Sequence, residues 1–302
     1  MLGINKRRIH RIFEDPKLVP QQLNKLYYRY TNEGYNSEGE DFISQDWDNL
    51  LILDACRFDS FKELNSIEGD LQAKKSRASS TVGFLDSNIS NRELHDTVYV
   101  SANPQLEWKS ELFSPDFHDV IHVWKEDGWD SSKRTVLPST VNEFAVKANE
   151  KYPNKRLIIH YLQPHCPFIG KKGDSYTDGG GIDFWPKVRA GKIDTPVDVL
   201  FDAYHENLEV VLESVEKLTD MIGGKTVVTS DHGQLIGERS FPIPFRDFGH
   251  PQETFVSELV NVPWLEIDGD RRAIKSESPQ GYDKNIEDDV IKERLENLGY
   301  RA

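Results

Sequence analysis

Five short apolar runs constrain what this chain can become. They are "NLLIL" at 49–53, "TVYV" at 97–100, "HDVIHVW" at 118–124, "RLIIHY" at 156–161 and "KTVVTS" at 225–230. Each is rich in branched side chains and then breaks into polar residues, as expected for strands buried on both faces of a sheet. A sixth run, "VNVPWLEI", contains Pro263, which predicts a strand start or an edge position. Helical patterns lie between the runs. "LPSTVNEFAVKANEKY" is one, and "DVLFDAYHENLEVVLESVEKLTDMI" is another, with Leu208, Val211, Leu212, Val215 and Leu218 on one stripe. Alternation of this kind predicts an α/β fold: a mostly parallel central sheet with helices on both faces. Ligands of such sheets lie beyond the carboxyl ends of the strands.

Three regions follow. Residues 1–45 are expected to form a helical extension, 46–270 the α/β domain, and 271–302 a helical tail packed on it. In the extension, "PQQLNKLYYRYTNE" places Leu23, Tyr27 and Tyr30 at helical spacing. In the tail, Asn285 or Asp288 can cap a helix and Gly299 can stop it. The glycine-rich stretch 169–198 reads as a long loop, either a wall over the site or plain surface irregularity. A net charge of -14 over 302 residues argues against nucleic acid as a partner. Cys56 and Cys166 make no disulfide framework, which points to a reducing, cytoplasmic setting. No run is long enough to span a membrane. The basic opening, "MLGINKRRIHRIF", is expected to form a helix docked on the main domain; the alternative is peripheral contact with an anionic membrane surface.

Polar groups collect at the strand ends. Asp54 follows "LLIL", and a carboxylate there is costly unless paired or metal-bound; Arg57 is the available ion-pair partner. Asp231 and His232 follow "TVVTS" side by side. "RASSTVGF" supplies Ser79, Ser80 and Thr81 before a helix, either as caps or as a nucleophile. His160 alternates with apolar neighbours and reads as a core residue, whereas His165 falls past the strand. Cys166 reads as a small packed hydrophobe. His250 sits in a turn. Asp202 and His205 are spaced for joint ligation on a helix, although exposed polarity explains them as well.

Taken together, "NLLILDACRFDSF", "HYLQPHCPFIG", "TVVTSDHGQLIGER" and "GHPQETFVSELVNVPWLEI" resemble the alkaline phosphatase/sulfatase superfamily, nearest its sulfatase-like branch. The motifs occur in that family's order across most of residues 46–268. The resemblance implies an alkaline-phosphatase-like fold and a divalent metal held by Asp54, Asp231 and His232, zinc or manganese before calcium or magnesium. Thr81 matches the nucleophile, which would also touch the metal; Ser80 is the alternative. His165 and His250 match histidines that face the transferred group or ligate a second metal. Arg57 or Arg77 is placed to neutralise an ester oxygen.

There are departures. The sulfatase C/S-x-P-x-R pattern is missing from "RASSTVGF", and Tyr161 stands where two-metal phosphatases carry an aspartate. The reading is therefore a one-metal hydrolase or transferase of phosphate mono- or diesters, acting on an anionic ester, for instance a glycan- or lipid-linked phosphate. The alternatives are a sulfate-ester hydrolase without formylglycine and a noncatalytic sulfatase-like binding protein.

Overall fold

The period-2 alternation of the strands divides the core in two. In the computed structural model, which describes residues 15–32, 35–125, 127–173, 183–279 and 288–300, Leu51 and Leu53 of β1 (Asn49–Leu53) pack on one face of the sheet. Leu50 and Ile52 pack on the other. The same partition separates Leu157 and Ile159 from Ile158 in β5 (Arg156–Tyr161), and Val228 from Val227 in β6 (Thr226–Ser230). Strands buried on both sides in this way need helices on both sides, which is what the chain provides.

The seven-stranded sheet has the order β2-β9-β6-β1-β5-β3-β4. Its other members are β2 (Asp70–Lys75), β3 (Glu93–Ser101), β4 (Asp116–His122) and β9 (Asn261–Ile267). β1 is paired in parallel with both β5 and β6, while β9 runs antiparallel to its neighbours. The fold is thus α/β with a largely parallel central sheet flanked by helices.

One face is covered by α2 (Phe58–Leu64), α4 (Pro138–Lys151), α6 (Val197–Met221) and α7 (Asp288–Asn297). The predicted stripe of α6, from Leu208 to Leu218, is buried in that core, together with Ile291 and Leu295 of α7. The opposite face is covered by α3 (Thr81–Ile89) through Phe84, Leu85 and Ile89, and by Phe42 and Trp47, with Phe42 packed on Trp264 of the sheet. A hairpin of β7 (Leu235–Arg239) and β8 (Arg246–Gly249) stands apart from the sheet and packs with α5 (Phe184–Arg189). Cys166 belongs to that cluster, as a small hydrophobe should.

Three segments correct or refine the expectations. Pro263 does not mark an edge or a strand start: β9 lies between β2 and β6, and the ladder to β6 ends at Trp264, so the missing N–H of Pro263 falls just past it. In α1 (Leu18–Thr31), the buried residues are Gln21, Asn24 and Tyr28, whereas Leu23, Tyr27 and Tyr30 are exposed. The apolar stripe faces outward. The stretch expected to be one long loop contains α5 and the start of α6, while residues 174–182, Asn285 and the basic opening at 1–14 lie outside the described residues.

Candidate metal centre

Four strands deliver the site at their carboxyl ends. Asp54 follows β1, Asp231 and His232 follow β6, His160 and His165 flank the end of β5, and Asn103 follows β3. The local backbone is shaped for this. Ala55 adopts a positive φ of 62°, an uncommon conformation for a residue with a Cβ, and its N–H donates to Asp231 Oδ1 at 3.0 Å. Gly233 lets the chain pass close against the short helix Ser257–Val260. A Cβ there would lie 2.0 Å from the Glu258 carbonyl, and its N–H donates to the Leu259 carbonyl.

Asp54, His160 and Asp231 are buried and offer ligand atoms that lie within 4.8 Å of one another, forming a metal-binding site. Asp54 Oδ1, Asp231 Oδ2 and His160 Nε2 are buried without hydrogen-bond partners. Such orphaned atoms are costly in a dry interior, and one cation satisfies them all. His232 lies beside this group, with Nε2 at 3.3 Å from Asp231 Oδ2 and 3.7 Å from Asp54 Oδ1. Asn103 Nδ2 donates to Asp54 Oδ2 at 2.8 Å and fixes that carboxylate.

Hydrogen bonds at Nδ1 set the histidine tautomers. His232 Nδ1 meets the Gly233 carbonyl at 2.8 Å, and His165 Nδ1 meets the Cys166 carbonyl. A carbonyl only accepts, so both Nδ1 atoms carry a proton and both Nε2 atoms point toward the cluster, where the neutral ring would offer a lone pair. His250 Nδ1 faces Gln234 Oε1 at 3.1 Å, with the Gln234 amide turned to the Leu235 carbonyl. His250 is therefore set the same way. The His250 ring lies 4.6 Å from that of His232 and 4.9 Å from that of His165. Burial pushes His165 down to about 4. Burial, followed by the charges of His232 and His165, places His250 well below its ordinary value. Burial also lowers His160 to about 4. Burial and the Asp231 charge lift Asp54 well above the carboxylate range. In Asp231, burial acts upward but is outweighed by His232 and His160, so it stays below its usual value. Imidazoles among carboxylates form a donor set suited to a divalent transition metal.

The hydroxyls divide cleanly. Thr81 Oγ1 lies 3.3 Å from His232 Nε2 and 3.5 Å from Asp54 Oδ2, inside the cluster. Ser80 is the N-cap of α3, accepting from the Gly83 N–H at 3.4 Å, and Ser79 donates to the Pro251 carbonyl. Ser79, Ser80, Arg77, Gly83, Asp86 and Gln252 line an adjoining cavity of about 490 Å³.

Other expected residues go elsewhere. The Arg57 guanidinium pairs with Asp59 and Glu238 and caps the Phe201 ring, so its charge is balanced outside the cluster. Arg77 donates to the Ser87 carbonyl and pairs with Asp41. Asp202 pairs with Lys172 while His205 meets Ser60, so these two are not brought together as ligands.

Three residues were not legible as site residues. His160 looked like core; Tyr99 does hold its Nδ1 at 2.7 Å, but its Nε2 lies 4.0 Å from Asp231 Oδ2. Asn103 carried no motif. Tyr300 arrives through a turn after α7, where the Gly299 N–H donates to the Glu296 carbonyl and the Tyr300 N–H to the Leu295 carbonyl, with Gly299 at a φ of 87°. The Tyr300 ring stacks on His165 at 5.3 Å and 16°, and its hydroxyl lies 3.4 Å from His165 Nε2. Thr81 faces the same hydroxyl.

No family model and no curated protein matches the sequence. Solved structures do. The soluble domain of lipooligosaccharide phosphoethanolamine transferase A from Neisseria meningitidis is 11% identical, with 74% of this chain and 76% of that one covered at a TM-score of 0.46. The C-terminal periplasmic domain of phosphoethanolamine transferase EptC from Campylobacter jejuni is 13% identical, with 72% and 78% covered at 0.47. A protein in the alkaline phosphatase superfamily from Vibrio parahaemolyticus is 13% identical, with 89% and 70% covered at 0.41. A 2-O GAG sulfatase is matched as well, at 10% identity and a TM-score of 0.47, so the likeness extends to transferases and a sulfatase alike and not to sulfatases in particular. The cytoplasmic expectation is corrected here. The transferase domains it resembles are periplasmic, and two buried, unpaired cysteines do not mark a compartment.

Proposed function

We propose that the protein is a metal-dependent hydrolase or transferase of phosphate esters, with Thr81 as the nucleophile. The observation that carries this reading is the position of Thr81 Oγ1, within 3.5 Å of both His232 Nε2 and Asp54 Oδ2 beside three orphaned ligand atoms. Asp54, Asp231 and His232, joined by His160, would hold a divalent ion, with zinc or manganese suited to this mixed carboxylate and imidazole set. When bound, that ion supplies Lewis acidity, lowering the pKa of the nearby hydroxyl and balancing charge on ester oxygens.

The rest of the chemistry belongs to the chain. The Thr81 oxygen attacks phosphorus as the bond to the leaving oxygen breaks, leaving a phosphorylated threonine. The Thr81 proton has a route through the Tyr300 hydroxyl to His165 Nε2. Burial holds the His165 and His250 imidazoles below their ordinary values; an anionic ester beside them favours the protonated form. An imidazole that has gained a proton then returns it to the leaving oxygen. Water, or an acceptor hydroxyl, cleaves the threonine ester in the second half-reaction. The N-terminus of α3 and the Tyr300 hydroxyl stabilise oxygen charge. The cavity lined by Ser80 and Arg77 suits the remainder of an anionic substrate or the acceptor.

The test compares Thr81→Ala with Ser80→Ala on a phosphomonoester and a phosphodiester, with metal content measured in each. Thr81→Ala should lose at least about a hundredfold in kcat while retaining its metal, and mass spectrometry should find the phosphoryl group on Thr81 of the wild type. Unchanged turnover in Thr81→Ala refutes the assignment.

A further inference from the structure

An amphipathic helix on a soluble domain normally turns its apolar stripe inward. α1 does the reverse. At ~100° per residue, Val19, Leu23, Leu26, Tyr27 and Tyr30 share one arc of the helix, and all are exposed, Leu26 by 57% and Tyr30 by 93%. Gln21, Asn24 and Tyr28, on the opposite arc, are buried. The inward face is held by polar bonds. Gln21 Nε2 donates to Asp247 Oδ2 at 3.0 Å, and the Asn24 amide donates to the Ile243 carbonyl at 3.0 Å while accepting the Ile243 N–H at 2.9 Å. These bonds fix the orientation, so the apolar face is presented outward by construction.

The same bonds tie α1 to the tip of the β7–β8 hairpin, "RSFPIPFR", residues 239–246. Phe241 is 53% exposed, Ile243 is exposed beside it, and the Phe241 ring meets Tyr27 edge-on at 5.7 Å. The helix stripe and the loop tip are therefore one apolar surface. Arg239 and Arg246 flank the tip, directly opposite each other in the ladder, and both are exposed. Like charges in that position repel, and neither arginine has an acidic partner among the described residues. In a chain of net charge -14, two exposed arginines stand beside the exposed apolar side chains.

We infer that this surface docks on an anionic lipid bilayer. Phe241, Ile243 and the α1 stripe enter the headgroup boundary, while Arg239 and Arg246 meet lipid phosphates. Apolar side chains ringed by arginines match such a surface, which supplies both a low-dielectric layer and negative charge. An ordinary apolar protein partner would leave the opposed arginines unanswered. This inference does not depend on the hydrolase reading.

The test is co-sedimentation of the full chain with vesicles of phosphatidylcholine alone and of phosphatidylcholine with phosphatidylglycerol. Salt is set at ~0.1 M and ~1 M, where screening lengths are ~10 Å and ~3 Å. The expected result is binding to the anionic vesicles that weakens at high salt. Binding should fall about fivefold for each of Arg239→Gln and Arg246→Gln, and at least tenfold for the Phe241→Ser, Ile243→Ser pair. All four side chains are exposed, so circular dichroism and Tm should not change, which separates lost docking from lost folding. Three results would overturn the inference: no sedimentation with either vesicle, equal sedimentation of wild type and variants, or a salt-insensitive dimer by light scattering that covers the face instead.

Discussion

Asp54→Asn should stabilise the metal-free protein and abolish its stabilisation by metal. Asp54 and Asp231 are both fully buried. Burial and the Asp231 charge raise the Asp54 carboxyl well above its ordinary value. A group whose pKa is higher folded than unfolded binds more protons in the native state between the two values, so unfolding free energy falls as pH rises through that window. At low pH the protonated acid and the amide are nearly equivalent, and the two proteins should melt together. At higher pH the wild type carries an uncompensated buried charge, which costs about 3–5 kcal/mol. The asparagine escapes that cost: its oxygen still accepts from Asn103 Nδ2, and its amide can donate to the Asp231 carboxylate. At ~2 °C or more per kcal/mol in a large domain, the variant should melt several degrees higher in chelator at pH 8. Zinc or manganese reverses the order, because ligand at a thousandfold its Kd adds about 4 kcal/mol to the wild type alone. The assay is thermal unfolding of both proteins from pH 4 to 8, with chelator and with each metal. The same ranking in both conditions, or a difference that ignores pH, would refute a carboxylate site held open for a cation.

Two further outcomes follow from the geometry. Tyr300→Phe keeps the ring stacked on His165 but removes the hydroxyl, so kcat/KM should fall about tenfold or more with metal content and Tm unchanged; a variant with wild-type kinetics would remove Tyr300 from the proton route. Gly233→Ala forces a Cβ to within 2.0 Å of the Glu258 carbonyl beside the Asp231–His232 pair, so loss of metal binding and a Tm drop corresponding to at least about 2 kcal/mol are expected in calorimetry.

The elements legible in the sequence were those whose burial is symmetric. β1, β5 and β6 are apolar throughout because both faces of each strand are covered, so a run of hydrophobes ending in Asp54 or Asp231 reads as a strand and its tip. β2, "DLQAKK", escaped notice because as an edge strand it carries an exposed and half-exposed pattern with no apolar face. The hairpin of β7 and β8 escaped because its strands are short and pair only with each other. The site divides in the same way. Asp54, Asp231 and His232 are next to strand ends in the chain, and local pattern marks them. His160, Asn103 and Tyr300 are site residues only through sheet order and a helix-ending turn: β3 lies next to β5, so Asn103 reaches Asp54 across the intervening strand end.

α1 is the instructive case. Its periodicity correctly specifies a helix and its apolar stripe, but period alone has no sign: it says that one face differs from the other, not which faces the protein. The side chains that decide this are Gln21 and Asn24, whose partners Asp247 and Ile243 lie more than two hundred residues later. Burying Asp247 needs donors, and Gln21 supplies them along with Arg189; an apolar stripe in the same place would leave that carboxylate unpaired in the interior, at a cost of several kcal/mol. The polar face is therefore drawn inward by a buried charge, and the outward apolar stripe is its consequence.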